Sequence, residues 1–154
     1  MQVTEPISRK LIHLGKVYLN VLSKRVDHLG INRYWYILSL IHANNGQLTQ
    51  KALAAKLGKD KSAMVSIIDF LTEKGYVYRE VNPADRRQHL LKVTDKAGKA
   101  VPEIVTAFEM INKTVTTNIS ADDMEIFNSV LLKMEANLKP YATQEMNIKL
   151  KLNK

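Results

Sequence analysis

The sequence has no cysteine among its 154 residues. Disulfide bonds, thiol-based redox sensing, cysteine nucleophiles and cysteine-rich zinc motifs are therefore excluded. No apolar run approaches the roughly 20 residues that span a bilayer, and the N-terminus lacks a basic segment followed by an apolar one. These absences predict a cytoplasmic protein with no membrane partner.

Catalytic motifs are also missing. The sequence has no glycine-rich phosphate loop, no Gly-x-Ser-x-Gly and no His-Glu-x-x-His. The four histidines are too scattered to form a metal motif, and no carboxylate lies beside two of them at ligand spacing. The sequence therefore predicts no enzyme, no metal site and no cofactor.

Positive charge is present in excess and is unevenly distributed. The net charge is +8 and the isoelectric point is about 9.6. Residues 1–100 carry 17 basic and 8 acidic side chains, whereas residues 101–154 carry 6 and 7. This split favours a polyanionic partner for the first two thirds of the chain.

Two short helices are predicted in the middle of the chain. The first has Thr49 as its N-cap and Gly58 as its stop signal. The second is capped by Asp60 or Ser62, runs to Lys74 and is closed by Gly75. Helical spacing predicts that its buried face consists of Met64, Ile67, Ile68 and Leu71.

A β-hairpin is predicted next. Tyr76–Val81 and Leu90–Val93 have strand composition, and Asn82 begins a turn with Asn-Pro chemistry between them. Arg86 and Arg87 lie at the tip of this turn. Solvation alone would account for two exposed arginines. Two short helices followed at once by such a hairpin nevertheless favour a winged helix-turn-helix.

Four pieces of the chain carry a family pattern in the same order and spacing. They are Leu57–Val65, Leu71–Val77, Asp85–Arg87 and Val93–Gly98. Together they resemble the recognition helix, the Leu-Glu-Lys-Gly-type helix end, the Asp-Arg-Arg wing and the Leu-Thr-x-x-Gly helix entry of the multiple-antibiotic-resistance-regulator (MarR) family of bacterial transcription factors. The resemblance is strongest over residues 37–100. It implies a DNA-binding transcriptional regulator, most often a repressor.

Three amphipathic helices are predicted outside this region. Their apolar stripes are Ile7, Leu11, Leu14, Tyr18 and Val21; Val101, Ile104, Phe108, Ile111 and Val115; and Met124, Phe127, Leu131, Met134 and Leu138. Packing within the chain would take up part of each stripe, and the resemblance implies that both termini form a dimerisation layer. Pro102 fits the first turn of its helix or a kink. The last helix is predicted to be capped at Ser120 and to end before Pro140.

The predicted fold is mainly α-helical with a small β wing. Residues 1–30 form an N-terminal dimerisation helix, residues 31–98 the winged helix-turn-helix DNA-binding domain, and residues 99–140 the C-terminal dimerisation helices. Residues 141–154 form a tail. Alternating apolar and polar residues from Met146 fit an extended arm along the dimer partner, and a disordered basic tail is the alternative.

The predicted partner is double-stranded DNA with a pseudo-palindromic site, bound by a homodimer. The major-groove candidates are Lys61, Ser62, Val65 and Ser66. The minor-groove candidates are Arg86 and Arg87, one of them held by Asp85. The phosphate candidates are Lys51, Lys59 and Arg79. The alternative function is a winged-helix module that binds protein or RNA without sequence-specific recognition of DNA.

The resemblance also implies an effector, because family members often bind small aromatic anions in a crevice beside the DNA-binding domain. The predicted lining residues of this crevice are His13, Tyr18, Trp35, Tyr36 and His42. Core packing is the alternative for each of them.

Overall fold

The computed structural model describes the backbone of residues 3–152 and the side chains of residues 3–141. Over this part of the chain it has six α-helices and one two-stranded antiparallel sheet. The elements are α1 (Ile7–Val26), a 3₁₀ turn (Asp27–Leu29), α2 (Trp35–Ala43), α3 (Gln50–Lys56), α4 (Lys61–Glu73), β1 (Val77–Val81), β2 (His89–Val93), α5 (Asp95–Val115) and α6 (Ala121–Leu152). The predicted fold class, mainly α-helical with a β wing, is confirmed.

The chain divides into two compact units, residues 1–113 and residues 114–154. The first unit contains the helix-turn-helix, the wing and the hydrophobic core, and the second contains α6. The predicted boundaries after residues 30, 98 and 140 divide the chain by function, and they stay a prediction.

The core of the first unit includes parts of α1 and α5. Leu22 and Val26 of α1 and Ile104 of α5 are at most 1% exposed. The buried face of α5 consists of Ala97, Ala100, Val101, Ile104, Ala107 and Ile111. Much of the apolar stripe predicted on α5 therefore packs within the chain, as was expected for part of each predicted stripe.

Apolar side chains remain open on α1 and on α6. On α1, Ile7, Leu11, Leu14 and Val21 are 38% to 69% exposed. On α6, Ile126, Phe127, Val130, Leu132 and Leu138 are 41% to 66% exposed. Several exposed apolar side chains on one helix are typical of an interaction surface.

The first residue of α5 determines whether Pro102 lies in the first turn of that helix. Thr94 Oγ1 accepts a hydrogen bond from the N–H of Ala97 at 3.4 Å and so caps a helix that begins at Asp95. Pro102 therefore lies inside α5, beyond its first turn. This excludes the first-turn alternative.

The helix α6 begins as predicted and ends later than predicted. Ser120 Oγ accepts a hydrogen bond from the N–H of Asp123 at 3.0 Å, which confirms the cap. The helix continues through Pro140 to Leu152, where the sequence predicted an extended or disordered tail. Residues 141–152 are mostly Ala, Gln, Glu, Met, Lys and Leu, whose high helix propensity outweighs the period-two pattern. Residues 153 and 154 lie outside the described residues.

Candidate nucleic-acid interface

The turn between α3 and α4 fixes how the recognition helix begins. Thr49 Oγ1 caps α3 by accepting a hydrogen bond from a backbone N–H of its first turn at 3.0 Å. Gly58 follows with φ +59°, a left-handed conformation that glycine adopts without strain. Asp60 Oδ1 then accepts a hydrogen bond from the N–H of Ala63 at 2.7 Å. Asp60, rather than Ser62, is therefore the cap of α4.

The recognition helix α4 separates a buried face from an open one. Its buried residues are Met64, Ile67, Ile68 and Leu71, as predicted. On the open side Lys61, Ser62 and Ser66 are exposed and Val65 is half-buried. The hydroxyl of Ser66 donates a hydrogen bond to the carbonyl of Ser62 at 3.2 Å. The four residues predicted to enter the major groove thus share the first two turns of α4.

The tip of the wing is braced by one carboxylate. The strands pair in register from Val77↔Val93 to Val81↔His89. Beyond them, Asp85 Oδ1 accepts a hydrogen bond from the N–H of Arg87 at 3.1 Å, and Oδ2 accepts one from Gln88 Nε2 at 2.7 Å. These bonds hold the backbone of the tip in a side-chain-supported turn.

This geometry corrects the role predicted for Asp85. The sequence predicted that its carboxylate would hold an arginine side chain. It holds the backbone and the amide of Gln88 instead, because an aspartate reaches the N–H two residues ahead without extending toward solvent. Within the described part of the chain neither guanidinium of Arg86 or Arg87 forms an ion pair, and both side chains are exposed. Both arginines are therefore available to a ligand.

A cleft of about 670 Å³ lies between α3, the start of α4 and the wing. Its lining residues are Gln50, Lys51, Ala54, Lys61, Met64, Arg87, Gln88 and His89. Lys51, Lys61 and Arg87 are cationic and no lining residue is a carboxylate, so the cleft has a positive potential. Sequence reasoning missed Gln88 and His89, although their adjacency to Arg87 was an available signal.

Two predicted phosphate contacts lie outside the lining of this cleft. Lys59 is exposed in the turn between α3 and α4. Arg79 Nη1 lies 2.7 Å from Asp69 Oδ1, and Arg79 Nε donates a hydrogen bond to Gln50 Oε1 at 3.0 Å. The side chain of Arg79 is only 26% exposed. Arg79 is thus not the free phosphate ligand that the sequence predicted, because two protein groups already occupy its guanidinium.

A second cavity, of about 320 Å³, lies between α1, α2 and α5. Its lining residues are Tyr18, Leu19, Leu22, Arg33, Trp35, Tyr36, Phe108 and Asn112. Tyr18, Trp35 and Tyr36 meet there, as predicted for the effector crevice. His13 and His42 do not line it. Five positions along a helix turn His13 away from Tyr18, and His42 lies about 10 Å along α2 from Trp35 at 1.5 Å per residue.

The polar groups of this cavity are few. The hydroxyl of Tyr18 donates a hydrogen bond to Asn112 Oδ1 at 2.8 Å, and burial raises the pKa of Tyr18. Trp35 is 1% exposed, and among the described residues its indole N–H has no hydrogen-bond partner. The exposed Arg33 adds a cation and donates a hydrogen bond to Asn20 at 3.4 Å. Arg33 and Asn112 were missed because they come from separate segments that only the tertiary fold brings together.

Two features are absent from the described residues. No three histidine, aspartate or glutamate side chains in residues 3–141 are grouped closely enough to hold a metal ion. None of the helices described above combines the length and the apolar character that a membrane crossing requires.

A family model described as MarR family matches residues 30–88. The match runs from before α2 to the end of the wing tip. Residues 30–88 belong to the MarR family. This match confirms the resemblance given by the four sequence pieces.

Solved structures of transcriptional regulators have the same fold. A MarR transcriptional regulator from Methanosarcina mazei Go1 is 24% identical, with a TM-score of 0.72 over 86% of this chain and 96% of that one. A MarR-family regulator from Listeria monocytogenes, complexed with a 26mer DNA, is 20% identical, with a TM-score of 0.76 over 88% and 90%. PcaV from Streptomyces coelicolor, in complex with its natural ligand, is 17% identical, with a TM-score of 0.76 over 88% and 98%.

The MarR match also agrees with the predicted broad class. MarR proteins are transcriptional regulators with a winged helix-turn-helix and are not enzymes, which is the class that the sequence predicted. The cationic cleft, the open face of α4 and the wing tip are the parts of this fold that could meet a polyanion.

Proposed function

We propose that this MarR-family regulator binds a pseudo-palindromic DNA site as a homodimer, represses transcription and is released by a small aromatic anion. A repressor must reach the chromosome, so the proposal includes a cytoplasmic location. The observation that carries the proposal is the cationic cleft between α3, α4 and the wing.

The cleft matches the path of a DNA strand. In a duplex the phosphate backbone separates the major groove from the minor groove. A recognition helix in the major groove and a wing in the adjacent minor groove therefore straddle one phosphate strand. Lys51, Lys61 and Arg87 line the space that this strand would occupy. Lys61, Ser62, Val65 and Ser66 would then meet base edges, and Arg86 and Arg87 would enter the minor groove.

A homodimer accounts for the open apolar faces of α1 and α6. Burial of apolar side chains that are 38% to 69% exposed in the single chain would stabilise association. Two-fold symmetry places two recognition helices about 34 Å apart, one turn of B-DNA, so the bound site should be a pseudo-palindrome. The Listeria protein, solved with a 26mer DNA, supports DNA as the partner.

Selection of duplexes from a random-sequence pool by the purified full chain tests the proposal. We expect enrichment of a two-fold-symmetric sequence, called here the selected duplex. It should bind at about 10⁻⁸ M or tighter at roughly 0.15 M salt and survive excess random-sequence competitor. Binding that disappears into competitor would reject sequence-specific recognition and would favour a winged-helix module for RNA or protein partners.

The cavity between α1, α2 and α5 is the proposed effector site. Its volume of about 320 Å³ suits a small ligand. The rings of Tyr36 and Phe108, in edge-to-face contact at 6.4 Å, offer an aromatic wall. The indole N–H of Trp35 and the guanidinium of Arg33 offer donors to a carboxylate. PcaV, solved with its natural ligand, supports an effector role for this fold.

Arg33→Gln is expected to weaken binding of benzoate, used as the probe, by about tenfold or more, since a hydrogen bond to a charged group contributes about 1.5–3 kcal/mol. Isothermal titration calorimetry would measure the change, with Arg9→Gln as a control that removes an arginine outside the cavity. Equal affinities for both variants would place the carboxylate elsewhere. Failure of benzoate to release the selected duplex from the wild type would separate ligand binding from regulation.

A further inference from the structure

Arg79 joins three elements of the DNA-binding region at one point. It lies on β1 opposite the fully buried Leu91 of β2. Its guanidinium contacts Asp69 of α4 at 2.7 Å and Gln50, the first residue of α3, at 3.0 Å. A planar guanidinium holds two such partners in a fixed relative geometry. The contact therefore fixes the base of the wing against both helices.

Asp69, which Arg79 contacts, lies where its negative charge would affect the binding of a polyanion. Asp69 follows Val65 by four residues and Ser66 by three, so it shares the open face of α4 with them. Its side chain is 59% exposed. An unpaired carboxylate on this face would repel the phosphates of a bound duplex. The charge of Arg79 compensates it at contact distance.

The length of the wing makes the position of its tip sensitive to small rotations at its base. The turn begins about three residues beyond Arg79, which is on the order of 10 Å at 3.3 Å per residue along a strand. A small rotation of the hairpin at Arg79 therefore displaces Arg86 and Arg87 by a larger distance. Displacement at the tip would remove these arginines from a narrow groove while leaving their charges near the DNA.

We infer that Arg79 is a positioning residue for sequence-specific DNA binding, which fixes the wing against α3 and α4 and neutralises Asp69 on the reading face. The inference rests on the proposed function. A positioning residue differs from a direct phosphate contact in one measurable respect. The slope of log K against log salt is negative. A lost phosphate contact makes it less steep by about 0.9, whereas a lost positioning contact leaves it unchanged.

The experiment compares four full-length variants with the wild type: Arg79→Gln, Asp69→Asn, the double variant, and Lys99→Gln as a control that removes an exposed cation on α5. Binding is measured to the selected duplex and to a random-sequence duplex of equal length, from about 0.05 to 0.2 M salt. Circular dichroism and thermal unfolding report whether each variant folds.

Arg79→Gln is expected to bind the selected duplex about 10- to 100-fold more weakly, within the range of coupling seen for charged pairs in contact. Its affinity for the random-sequence duplex and its salt slope should match those of Lys99→Gln. Addition of Asp69→Asn should recover about half of the loss on a logarithmic scale, because the uncompensated carboxylate is gone.

Three results would overturn the inference. The first is an equal loss on both duplexes with a salt slope less steep by about 0.9, which identifies a phosphate contact. The second is a double variant no better than Arg79→Gln. The third result applies if Arg79→Gln does not fold. In that case the inference is overturned if Asp69→Asn binds the selected duplex as tightly as the wild type does. A wild type that prefers no duplex would reject the proposed function itself, before any variant is compared.

Discussion

Arg86→Ala combined with Arg87→Ala is expected to weaken binding to the selected duplex by about a hundredfold or more, at roughly 1–3 kcal/mol for each arginine that contacts DNA. Both guanidinium groups are exposed and unpaired among the described residues, so both are free to enter the groove. The salt slope should become less steep by up to about 1.8, since two cations are lost. Fluorescence anisotropy titrations at several salt concentrations would measure both quantities.

The control for this double variant removes two cations elsewhere. Lys24→Gln with Lys99→Gln changes the net charge equally and leaves the wing intact, so its affinity should stay close to that of the wild type. The wing variant should also keep the melting temperature of the wild type, because Asp85 holds the tip through the backbone and not through a guanidinium. A lower melting temperature would show that the arginines stabilise the fold, and would contradict the binding role.

The second large effect is expected at the open face of α1. Leu11→Glu with Leu14→Glu should convert the proposed dimer to a monomer at micromolar concentration. Each buried leucine contributes about 1.5–3 kcal/mol, and each new carboxylate would have to lose its hydration. A monomer engages one half-site, so affinity for the selected duplex should fall by more than a hundredfold. Sedimentation velocity and duplex titration would measure the two losses.

Matched charges on the polar side of the same helix provide the comparison. Ser8→Glu with Asn20→Glu adds the same charge at exposed positions away from the apolar stripe, and this variant should remain dimeric. A wild type that sediments as a monomer at these concentrations would contradict the dimer directly. A dimer that survives both leucine substitutions would assign the contact to α6 instead.

The features that sequence could predict depend on short-range chemistry. Thr49, Asp60 and Ser120 cap helices through N–H groups three residues away, so local spacing reveals them. The buried face of α4 repeats with the helical period, and the hairpin follows from strand composition around an Asn-Pro turn. The family pattern then identified the order of these elements as a winged helix-turn-helix.

The features that sequence missed depend on partners far apart in the chain. Arg79 binds Gln50, which is 29 residues away, and no local pattern indicates that a tertiary contact will occupy its guanidinium. The effector cavity joins α1, α2 and α5. The family resemblance implied a crevice but not its lining, so His13 and His42 were included and Arg33 was not. Pro140 was a poor stop signal because strong helix formers follow it.

Trp35 is the only tryptophan in the sequence, and it is buried in the lining of the effector cavity. The tryptophan fluorescence of the protein therefore reports on the effector cavity alone. A ligand that accepts the indole hydrogen bond or stacks nearby would change the emission of unlabelled protein, whereas unfolding would expose the indole to water and shift the emission to longer wavelength. The chain thus carries its own optical probe for screening effectors, without a dye or an introduced reporter.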